Sequence, residues 1–256
     1  MSQAVLPYPP LSNAPFVVLS DWDGTITDKD SNDYLTDNLG MGYEQRRAMN
    51  HKVLDGSSNF RDSFRTMLES VHTPFEECKK VLQQNIGLDP GFKTFYKWCK
   101  ENNVPVIIVS SGMEPIIRAV LETLLPAEDA QTIPIIANDV RYTDPEHTGK
   151  TWEIIYRHPE SGFGHDKSKA ILPYRDLAHK PTLFFCGDGV SDLSAAKHAD
   201  VLFAKEMANG DSDLMQYCKR EAIPFVPFRD FNKVLERVKE VVAGKDFKEV
   251  LKEEGN

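Results

Sequence analysis

The sequence predicts an α/β protein, a three-layer sandwich in which a mostly parallel sheet lies between helices. Three short apolar runs, at residues 16–19, 104–109 and 181–186, are rich in β-branched or aromatic residues and are followed by small polar residues, glycine or aspartate. This pattern is typical of buried parallel strands. Ligands of open α/β sheets bind beyond the carboxyl ends of the strands. We therefore expect the functional site where these runs end.

Four shorter segments complete the predicted sheet. They are runs of apolar or β-branched residues bounded by turn-forming residues, at 133–140, 151–156, 201–204 and 224–227. The chain between the first two is predicted to turn as a hairpin. A helix is predicted at residues 114–125, directly after the second long run. Strands that alternate with helices in this way indicate the α/β class.

Two carboxylates, Asp21 and Asp23, follow the first apolar run in the order Asp-Trp-Asp-Gly-Thr. In extended backbone, alternate residues face the same side, and Gly24 lets the chain turn away. Two carboxylates this close repel each other unless a cation, a shared proton or divergent orientations relieve the repulsion. Mg²⁺ prefers oxygen ligands and often bridges carboxylates to a substrate phosphate. The stretch therefore predicts phosphate chemistry supported by a divalent ion.

A second acidic segment, Gly187-Asp188-Gly189 and then Asp192, follows the run at 181–186. Asp188 is placed to complete a metal site with Asp21, and Asp192 lies one helical turn further on, where it can bind the metal or orient water. An Asp-Gly turn alone is common. Two such strand ends in one chain favour a site.

The remaining polar candidates are Ser110, Ser111 and Lys167. Ser110 and Ser111 follow the run at 104–109, where a hydroxyl and the N–H groups of a following helix can bind an anion. Lys167 begins another predicted helix, where its charge opposes the helix dipole unless an anion lies nearby. Each signal alone is weak, because serine often caps helices and lysine is usually solvated. Their combination with the two acidic segments predicts a phosphate site.

In chain order, Asp-x-Asp-Gly-Thr from Asp21, then Ser110, then Lys167, then Gly-Asp-Gly-x-x-Asp from Gly187 resemble the four motifs of the haloacid dehalogenase (HAD) superfamily. The resemblance covers residues 16–228. It is strongest to the phosphoserine-phosphatase-like branch, which includes fungal phosphatases of small molecules such as sugar and polyol phosphates. It implies a Rossmann-like HAD core with a parallel sheet and a small helical cap inserted after the first motif.

The cap is expected at residues 29–89, and the catalytic core at 1–28 and 90–256. The cap segment is rich in helix formers, and its apolar spacing predicts a packing stripe at Phe60, Phe64, Met67, Leu68 and Val71. A basic group on one predicted cap helix is expected at the surface: Arg46, Arg47, His51 and Lys52. In the family, such a cap closes over the site and contacts the leaving group.

The resemblance implies an aspartyl-phosphate mechanism. Asp21 is expected to be the nucleophile that attacks phosphorus, and Asp23 the general acid that protonates the leaving oxygen and then the base that activates water. Mg²⁺ is the implied cofactor, with ligands from Asp21, Asp23 (through its carbonyl) and Asp188. The implied phosphate-binding residues are Ser110, Ser111 and Lys167. Asp192 is expected to support the metal site and to orient Lys167.

The leaving group is less clearly specified. The arginine that binds the substrate carboxylate in phosphoserine-specific relatives aligns with Met67, which cannot bind a carboxylate. Arg61 and Arg65 lie nearby, and Asp30 aligns with a glutamate that reads the amino group, a position that also suits a polyhydroxyl substrate. These positions favour a sugar or polyol phosphate. The alternatives are a phosphoserine or methylthio-diketopentane phosphate phosphatase, or a phosphotransferase.

Composition limits the partners and the setting. A formal net charge of −9 argues against a nucleic-acid surface. The partner implied by the resemblance is a small phosphorylated metabolite, and we expect no nucleic acid and no membrane as partners. The N-terminal segment, residues 1–15, lacks an apolar stretch long enough for a signal peptide or membrane span. Four scattered cysteines without CxxC spacing indicate a reducing compartment. We expect a cytoplasmic protein, as a monomer or weak dimer.

Three other functions are compatible with parts of the pattern. A phospho-receiver also groups aspartates and a lysine around Mg²⁺, but it is a single small domain without a cap. A metal-independent dehalogenase does not need the acid that Asp23 supplies. A non-catalytic scaffold would not need the full set of catalytic side chains present here.

Overall fold

The computed structural model describes residues 13–207 and 210–254. The strands in these residues are β1 Phe16–Ser20, β2 Val106–Met113, β3 Ile135–Tyr142, β4 Trp152–Ile155, β5 Thr182–Gly187, β6 Val201–Lys205 and β7 Val226–Phe228. The helices of the N-terminal half are α1 Ser31–Leu39, α2 Tyr43–Leu54, α3 Phe60–Glu69, α4 Phe75–Asn85, α5 Phe92–Glu101, α6 Glu114–Leu124 and α7 Ala127–Thr132. Those that follow are α8 Ser168–Arg175, α9 Leu193–Ala196, α10 Asp213–Glu221, α11 Phe231–Val242 and α12 Phe247–Glu253, with a short 3₁₀ helix at Val190–Asp192.

The strands form one seven-stranded sheet in the order β4-β3-β2-β1-β5-β6-β7. β1 pairs in parallel with both β2 and β5, so that Leu19 lies opposite Ile107 on one side and Phe185 on the other. β5, β6 and β7 continue the parallel arrangement. β3 and β4 pair antiparallel, as the predicted hairpin requires. The predicted α/β class and all seven predicted strands are confirmed.

The chain divides into two compact units. The first comprises Met1–Asp21, Asp89–Val109 and Lys167–Asn256, and the second comprises Trp22–Leu88 and Ser110–Asp166. The first unit contains β1, the start of β2 and the strands β5 to β7. The second contains the helices α1 to α4 together with α6, α7, β3 and β4. Residues 29–88 of the predicted cap belong to the second unit and Asp89 belongs to the first. The cap boundaries at residues 29 and 89 stay a prediction.

The core of the first unit is a layer of aromatic rings beside the central strands. Phe184 lies 6.3 Å from Phe203, and Phe203 lies 6.3 Å from Phe228, measured between ring centroids. Phe228 in turn packs edge-on against Phe231 at 5.6 Å. These four side chains are buried. Because burial of each large apolar side chain is worth roughly 1.5 to 3 kcal/mol, this layer holds the strand ends in place.

The second unit packs its helices through the predicted apolar stripe. Phe64, Met67 and Leu68 on α3 are buried, which confirms the stripe as packing. Phe75 on α4 contacts the ring of Trp152 on β4 at 5.2 Å, and the Trp152 indole N–H donates to the carbonyl of Thr73 at 3.0 Å. The helices of this unit are therefore tied to the β3–β4 hairpin.

Arg46 on α2 is buried, so the expectation of an exposed side chain was wrong for this residue. Its Nη1 lies 2.5 Å from Asp33 Oδ2, and its Nε lies 2.6 Å from Asp37 Oδ1. Both aspartates are on α1. The sequence did not show that α1 presents two carboxylates to α2, and this pairing is what makes burial of the guanidinium favourable.

Replacing Arg46 by methionine is expected to lower the free energy of unfolding by about 2 kcal/mol, because two carboxylates lose their counter-charge. The partial exposure of both aspartates keeps the expected loss below that of a fully buried pair. Urea unfolding followed by circular dichroism measures the change. Arg47→Met is the matched control on the same helix, and an equal effect of both substitutions would contradict the assignment.

Two findings bear on the setting of the protein. In the part of the chain that the structure describes, no helix is long and apolar enough to cross a membrane. The four cysteines are free and buried: Cys78, Cys99, Cys186 and Cys218. Of the N-terminal segment on which the localisation prediction depends, residues 1–12 lie outside the described residues.

Candidate active site

Asp21 and Asp188 stand directly after two neighbouring parallel strands, β1 and β5. The N–H of Asp21 donates to the carbonyl of Cys186 at 2.8 Å, which continues the β1–β5 pairing to the first carboxylate. Parallel strands carry their carboxyl ends at the same edge of a sheet, so the two aspartates meet there. The predicted position of both residues at the strand ends is confirmed.

Lys167 immediately precedes α8 and is fully buried. Its Nζ lies 2.7 Å from Asp21 Oδ1 and 2.7 Å from Asp192 Oδ1. Burial alone lowers the pKa of Lys167, but the carboxylates of Asp192 and Asp21 outweigh it and hold the pKa above the ordinary value of lysine. The ammonium therefore stays charged, and it fixes the carboxylate of Asp21 in one orientation.

Asp192 uses both of its oxygens on protein donors. Oδ1 accepts from Lys167, and Oδ2 accepts from the N–H groups of Asp188 at 3.0 Å and Gly189 at 3.1 Å. Asp21, Asp188 and Asp192 each offer a carboxylate oxygen within 4.8 Å of the others. This all-oxygen set fits a hard divalent ion such as Mg²⁺. Both oxygens of Asp192 are engaged by protein donors, and Oδ1 of Asp21 is engaged by Lys167.

Asp23 belongs to the second unit and is held at the start of α1. Its Oδ1 accepts from the Ser31 N–H at 2.7 Å, and its Oδ2 accepts from the Asn32 side-chain Nδ2 at 2.7 Å. The turn that brings it there begins at Gly24, whose φ of 72° lies in the left-handed region that glycine adopts easily. The positive end of the α1 dipole also favours a carboxylate at this place.

Ser110 lies beside Asp23 in the same unit. A β-carbon built on Gly112 would lie 3.0 Å from Asp23 Oδ2, 3.1 Å from Asn32 Nδ2 and 3.2 Å from Ser110 Oγ. These three polar atoms therefore surround Gly112, and a larger residue would separate them. Ser110 Oγ accepts the N–H of Gly112 at 2.9 Å, so its own hydrogen can be donated to another group.

The two serines lie within β2, which continues to Met113. α6 begins at Glu114, as predicted, so its first N–H groups come three residues after Ser111. The His165 ring Nδ1 lies 2.6 Å from the Ser110 carbonyl, and Asn138 Nδ2 donates to the Ser111 carbonyl at 2.7 Å. Ser111 Oγ is buried, and among the described residues it has no hydrogen-bond partner. A buried hydroxyl of this kind is suited to an incoming acceptor.

The four leaving-group candidates lie in four different surroundings within the second unit. Asp30 caps α1, where its Oδ1 accepts from the N–H groups of Asn32 and Asp33 at 2.8 Å. Arg61 pairs with Asp62 at 2.8 Å and donates to the Pro159 carbonyl at 2.6 Å. The Arg65 guanidinium lies 5.1 Å from the centroid of the Tyr156 ring, and Met67 is buried in the packing stripe.

Four residues of this site were missed by sequence reasoning: Ser31, Asn32, Gly112 and His165. Ser31 and Asn32 follow Asp30, and aspartate commonly caps the N-terminus of a helix, so the start of α1 was recognisable from the sequence. Whether the Ser31 N–H and the Asn32 side chain point toward Asp23 depends on the turn between Asp23 and Ser31, which the sequence does not specify. Gly112 and His165 had no local signal, because their partners lie far away in the sequence.

A parallel α/β sheet with paired aspartates at adjacent strand ends and a buried lysine between carboxylates is typical of proteins that accept or transfer a phosphoryl group. The chain belongs to the haloacid dehalogenase-like hydrolase family, whose model matches residues 18–197. The predicted resemblance to this family is confirmed.

Two fungal proteins are similar over most of their length. Pdp3-interacting factor 1 of Schizosaccharomyces pombe is 52% identical over 216 residues, which are 84% of this chain and 90% of that protein. Polyol phosphate phosphatase PYP1 of Saccharomyces cerevisiae is 48% identical over 236 residues, 89% of this chain and 94% of the yeast protein. Family and relatives confirm that the chain is an enzyme of the phosphatase class.

Solved structures share the fold. A phospho-aspartyl intermediate analogue of phosphoserine phosphatase superposes with a TM-score of 0.63 at 18% identity, and the match covers 87% of this chain and 98% of that one. At this level of identity the likeness shows the fold, and it confirms the predicted core architecture.

Proposed function

We propose that this protein hydrolyses the phosphomonoester of a small polyol through an aspartyl-phosphate intermediate, with Mg²⁺ as cofactor. The observation that supports the chemistry is the buried Lys167 between Asp21 and Asp192, beside Asp188. Support for the substrate class comes from the yeast polyol phosphate phosphatase, which is similar over 89% of this chain. The helical segment 29–89 would act as the cap over the substrate.

In the first step a carboxylate oxygen of Asp21 attacks phosphorus, and the bond between phosphorus and the ester oxygen breaks. Lys167 holds Asp21 in one orientation, so little rotational freedom is lost on attack. Asp23 gives its proton to the departing oxygen, which leaves as an alcohol. The phosphoryl group is then bound covalently to Asp21.

In the second step water hydrolyses this mixed anhydride. Asp23, now a carboxylate, takes a proton from the water as its oxygen bonds to phosphorus, and the Asp21–phosphorus bond breaks. The donors on Asp23, Ser31 N–H and Asn32 Nδ2, stabilise the carboxylate form that this step needs. Both residues return to their starting states.

Mg²⁺ would be held by the carboxylates of Asp21 and Asp188 and by the carbonyl of Asp23. When bound it supplies positive charge that lets an anionic nucleophile approach an anionic phosphate. Asp192 supports this site indirectly, because it orients both Lys167 and the backbone at Asp188. The hard oxygen donors of the set support Mg²⁺ over softer metals.

The other phosphoryl oxygens would be bound by Ser110, Ser111 and Lys167. Ser111 Oγ is buried without a partner in the described chain, and Ser110 Oγ has a hydrogen to donate. Lys167 adds a permanent positive charge. Hydrogen-bond donors placed where negative charge develops stabilise the transition state of phosphoryl transfer.

The leaving-group end would be formed by the cap residues Asp30, Arg61, Arg65 and Met67. Met67 removes the carboxylate-binding cation that a phosphoserine substrate needs, and it is buried. Arg61 is already paired with Asp62 and the Pro159 carbonyl. These features support a neutral, hydroxyl-rich leaving group. The four buried free thiols agree with a cytoplasmic setting.

The test is phosphate release from a panel of phosphomonoesters: sorbitol, ribitol and glycerol phosphates, sugar phosphates, phosphoserine, a methylthio-ketopentyl phosphate and nucleotides. We expect kcat/KM for the best polyol phosphate to exceed that for phosphoserine by at least about tenfold, since Met67 stands where phosphoserine-specific relatives have the carboxylate-binding arginine. EDTA should abolish release, and excess Mg²⁺ should restore it.

The control for contaminating phosphatases is the Asp21→Asn protein, purified in the same way and assayed on the same panel. Release that persists in EDTA would contradict the metal dependence. A preference for phosphoserine would contradict the proposed substrate class but leave the phosphatase chemistry in place.

A further inference from the structure

Asn32, in the first turn of α1, has one amide atom engaged and the other without a partner. The residue is 3% exposed, and its Nδ2 donates to Asp23 Oδ2 at 2.7 Å. Among the described residues no hydrogen-bond donor reaches its Oδ1, which is itself buried. Buried polar atoms almost always have partners, so an unpaired amide oxygen at this position requires an explanation.

The orientation of this amide follows from its neighbour. When Asp23 is ionised, exchanging the two amide atoms would place Oδ1 against its carboxylate, where both atoms are acceptors. Nδ2 therefore belongs on Asp23, and Oδ1 is directed elsewhere. Asn32 Oδ1 can only be satisfied by a hydrogen-bond donor.

The N-terminus of α1 has no spare donor for it. The N–H of Ser31 donates to Asp23, and those of Asn32 and Asp33 donate to Asp30 Oδ1. The next N–H, of Tyr34, donates to the Asp30 carbonyl at 3.0 Å. The first turn thus uses its N–H groups on Asp23 and Asp30, and in the part of the chain that the structure describes no donor is left for Oδ1.

The charge around Asn32 selects the kind of donor. Asp23 and Asp30 lie on the same helix end, and Arg46 is paired with Asp33 and Asp37. A surrounding of this kind, in which Arg46 is already paired, gives a carboxylate or a second phosphate on the leaving group no cation to pair with. It accepts a neutral hydroxyl, which can donate to an amide oxygen.

We propose that Asn32 is a specificity-determining and positioning residue: its Oδ1 accepts a hydrogen bond from the substrate hydroxyl on the carbon next to the phosphate-bearing carbon, and its Nδ2 holds Asp23. This inference rests on the proposed function, in which Asp23 protonates the ester oxygen. The two amide atoms are adjacent, so a group bound to Oδ1 lies close to the group that Asp23 protonates. A vicinal hydroxyl meets that condition.

The experiment pairs a side-chain change with a substrate change. Kinetic constants are measured for glycerol 3-phosphate and for 3-hydroxypropyl phosphate, which lacks only the hydroxyl on the adjacent carbon. We expect wild-type kcat/KM to favour glycerol 3-phosphate by about tenfold or more, since a site built to bind a hydroxyl rejects the analogue without it. In Asn32→Leu this preference should fall to near unity. Asn38→Leu, an exposed asparagine on the same helix, should keep it.

If Asn32 had only a structural role, Asn32→Leu would lower kcat/KM equally for both substrates and leave the ratio of the two values unchanged. That result would overturn the proposal. Asn32→Ala repeats the test if the leucine variant does not fold. The wild-type ratio of the two kcat/KM values is a test by itself. If the wild-type enzyme shows equal kcat/KM for the two esters, the proposal is also overturned. p-Nitrophenyl phosphate is the control substrate. If the enzyme hydrolyses it but shows no preference for glycerol 3-phosphate, the role of Asn32 is wrong and the phosphatase function stands. If no ester is hydrolysed, the phosphatase function itself is wrong.

Discussion

Asp21→Asn is expected to lower kcat by at least about 10⁴-fold, since the amide keeps the shape of the side chain but cannot act as the nucleophile. Lys167 keeps its second carboxylate partner, Asp192, so the fold should be retained. Phosphate release under single-turnover and steady-state conditions measures the loss. Circular dichroism checks that the variant is folded.

The matched control is Asp176→Asn, which makes the same change at an exposed aspartate at the end of α8. It should leave kcat within experimental error of the wild type. Normal turnover by Asp21→Asn would refute the aspartyl-phosphate mechanism. Trapping of a phosphorylated protein with the wild type but not with Asp21→Asn would support it directly.

Lys167→Met is expected to weaken transition-state stabilisation by roughly 3 to 4 kcal/mol, equivalent to about 10²- to 10³-fold in kcat, on the scale of a lost oxyanion donor. It also removes the counter-charge of two buried carboxylates, Asp21 and Asp192. A loss of about 3 kcal/mol in the free energy of unfolding is therefore expected as well. Steady-state kinetics and urea unfolding measure the two effects separately.

Lys169→Met is the control, because Lys169 lies two residues further along and is exposed. It should change neither quantity measurably. If Lys167→Met kept the wild-type rate, Lys167 would have no part in the chemistry. If it lost activity at unchanged stability, the carboxylates would be better solvated than their burial indicates.

Much of the phosphate end of the site was predictable from local sequence. Asp21 and Asp188 follow apolar runs that could only be buried strands, and the carboxyl ends of parallel strands share one edge. That rule is general to the fold class, so the meeting of two distant segments could be predicted without coordinates. The order of the four motifs then indicated the family.

Other features depended on pairings that local sequence does not encode. Arg46 looked like part of an exposed basic group, and only the packing of α2 on α1 shows that Asp33 and Asp37 bury it. The two serines looked like the end of a strand, yet β2 continues past them to Met113. The burial of Arg46 depends on contacts between two helices, and the extent of β2 depends on its place in the sheet. Neither can be seen in the local sequence.

The sequence by itself determined the fold class, the carboxylates at the strand ends and the phosphatase class, because strand periodicity and short motifs are local properties of the chain. Only the tertiary structure decided that Asn32 donates to Asp23 and that, among the described residues, its own oxygen has no hydrogen-bond partner. The physical reason is that a hydrogen bond depends on distance and direction within about 3 Å, and these are set by the turn after Asp23 and the start of α1 together.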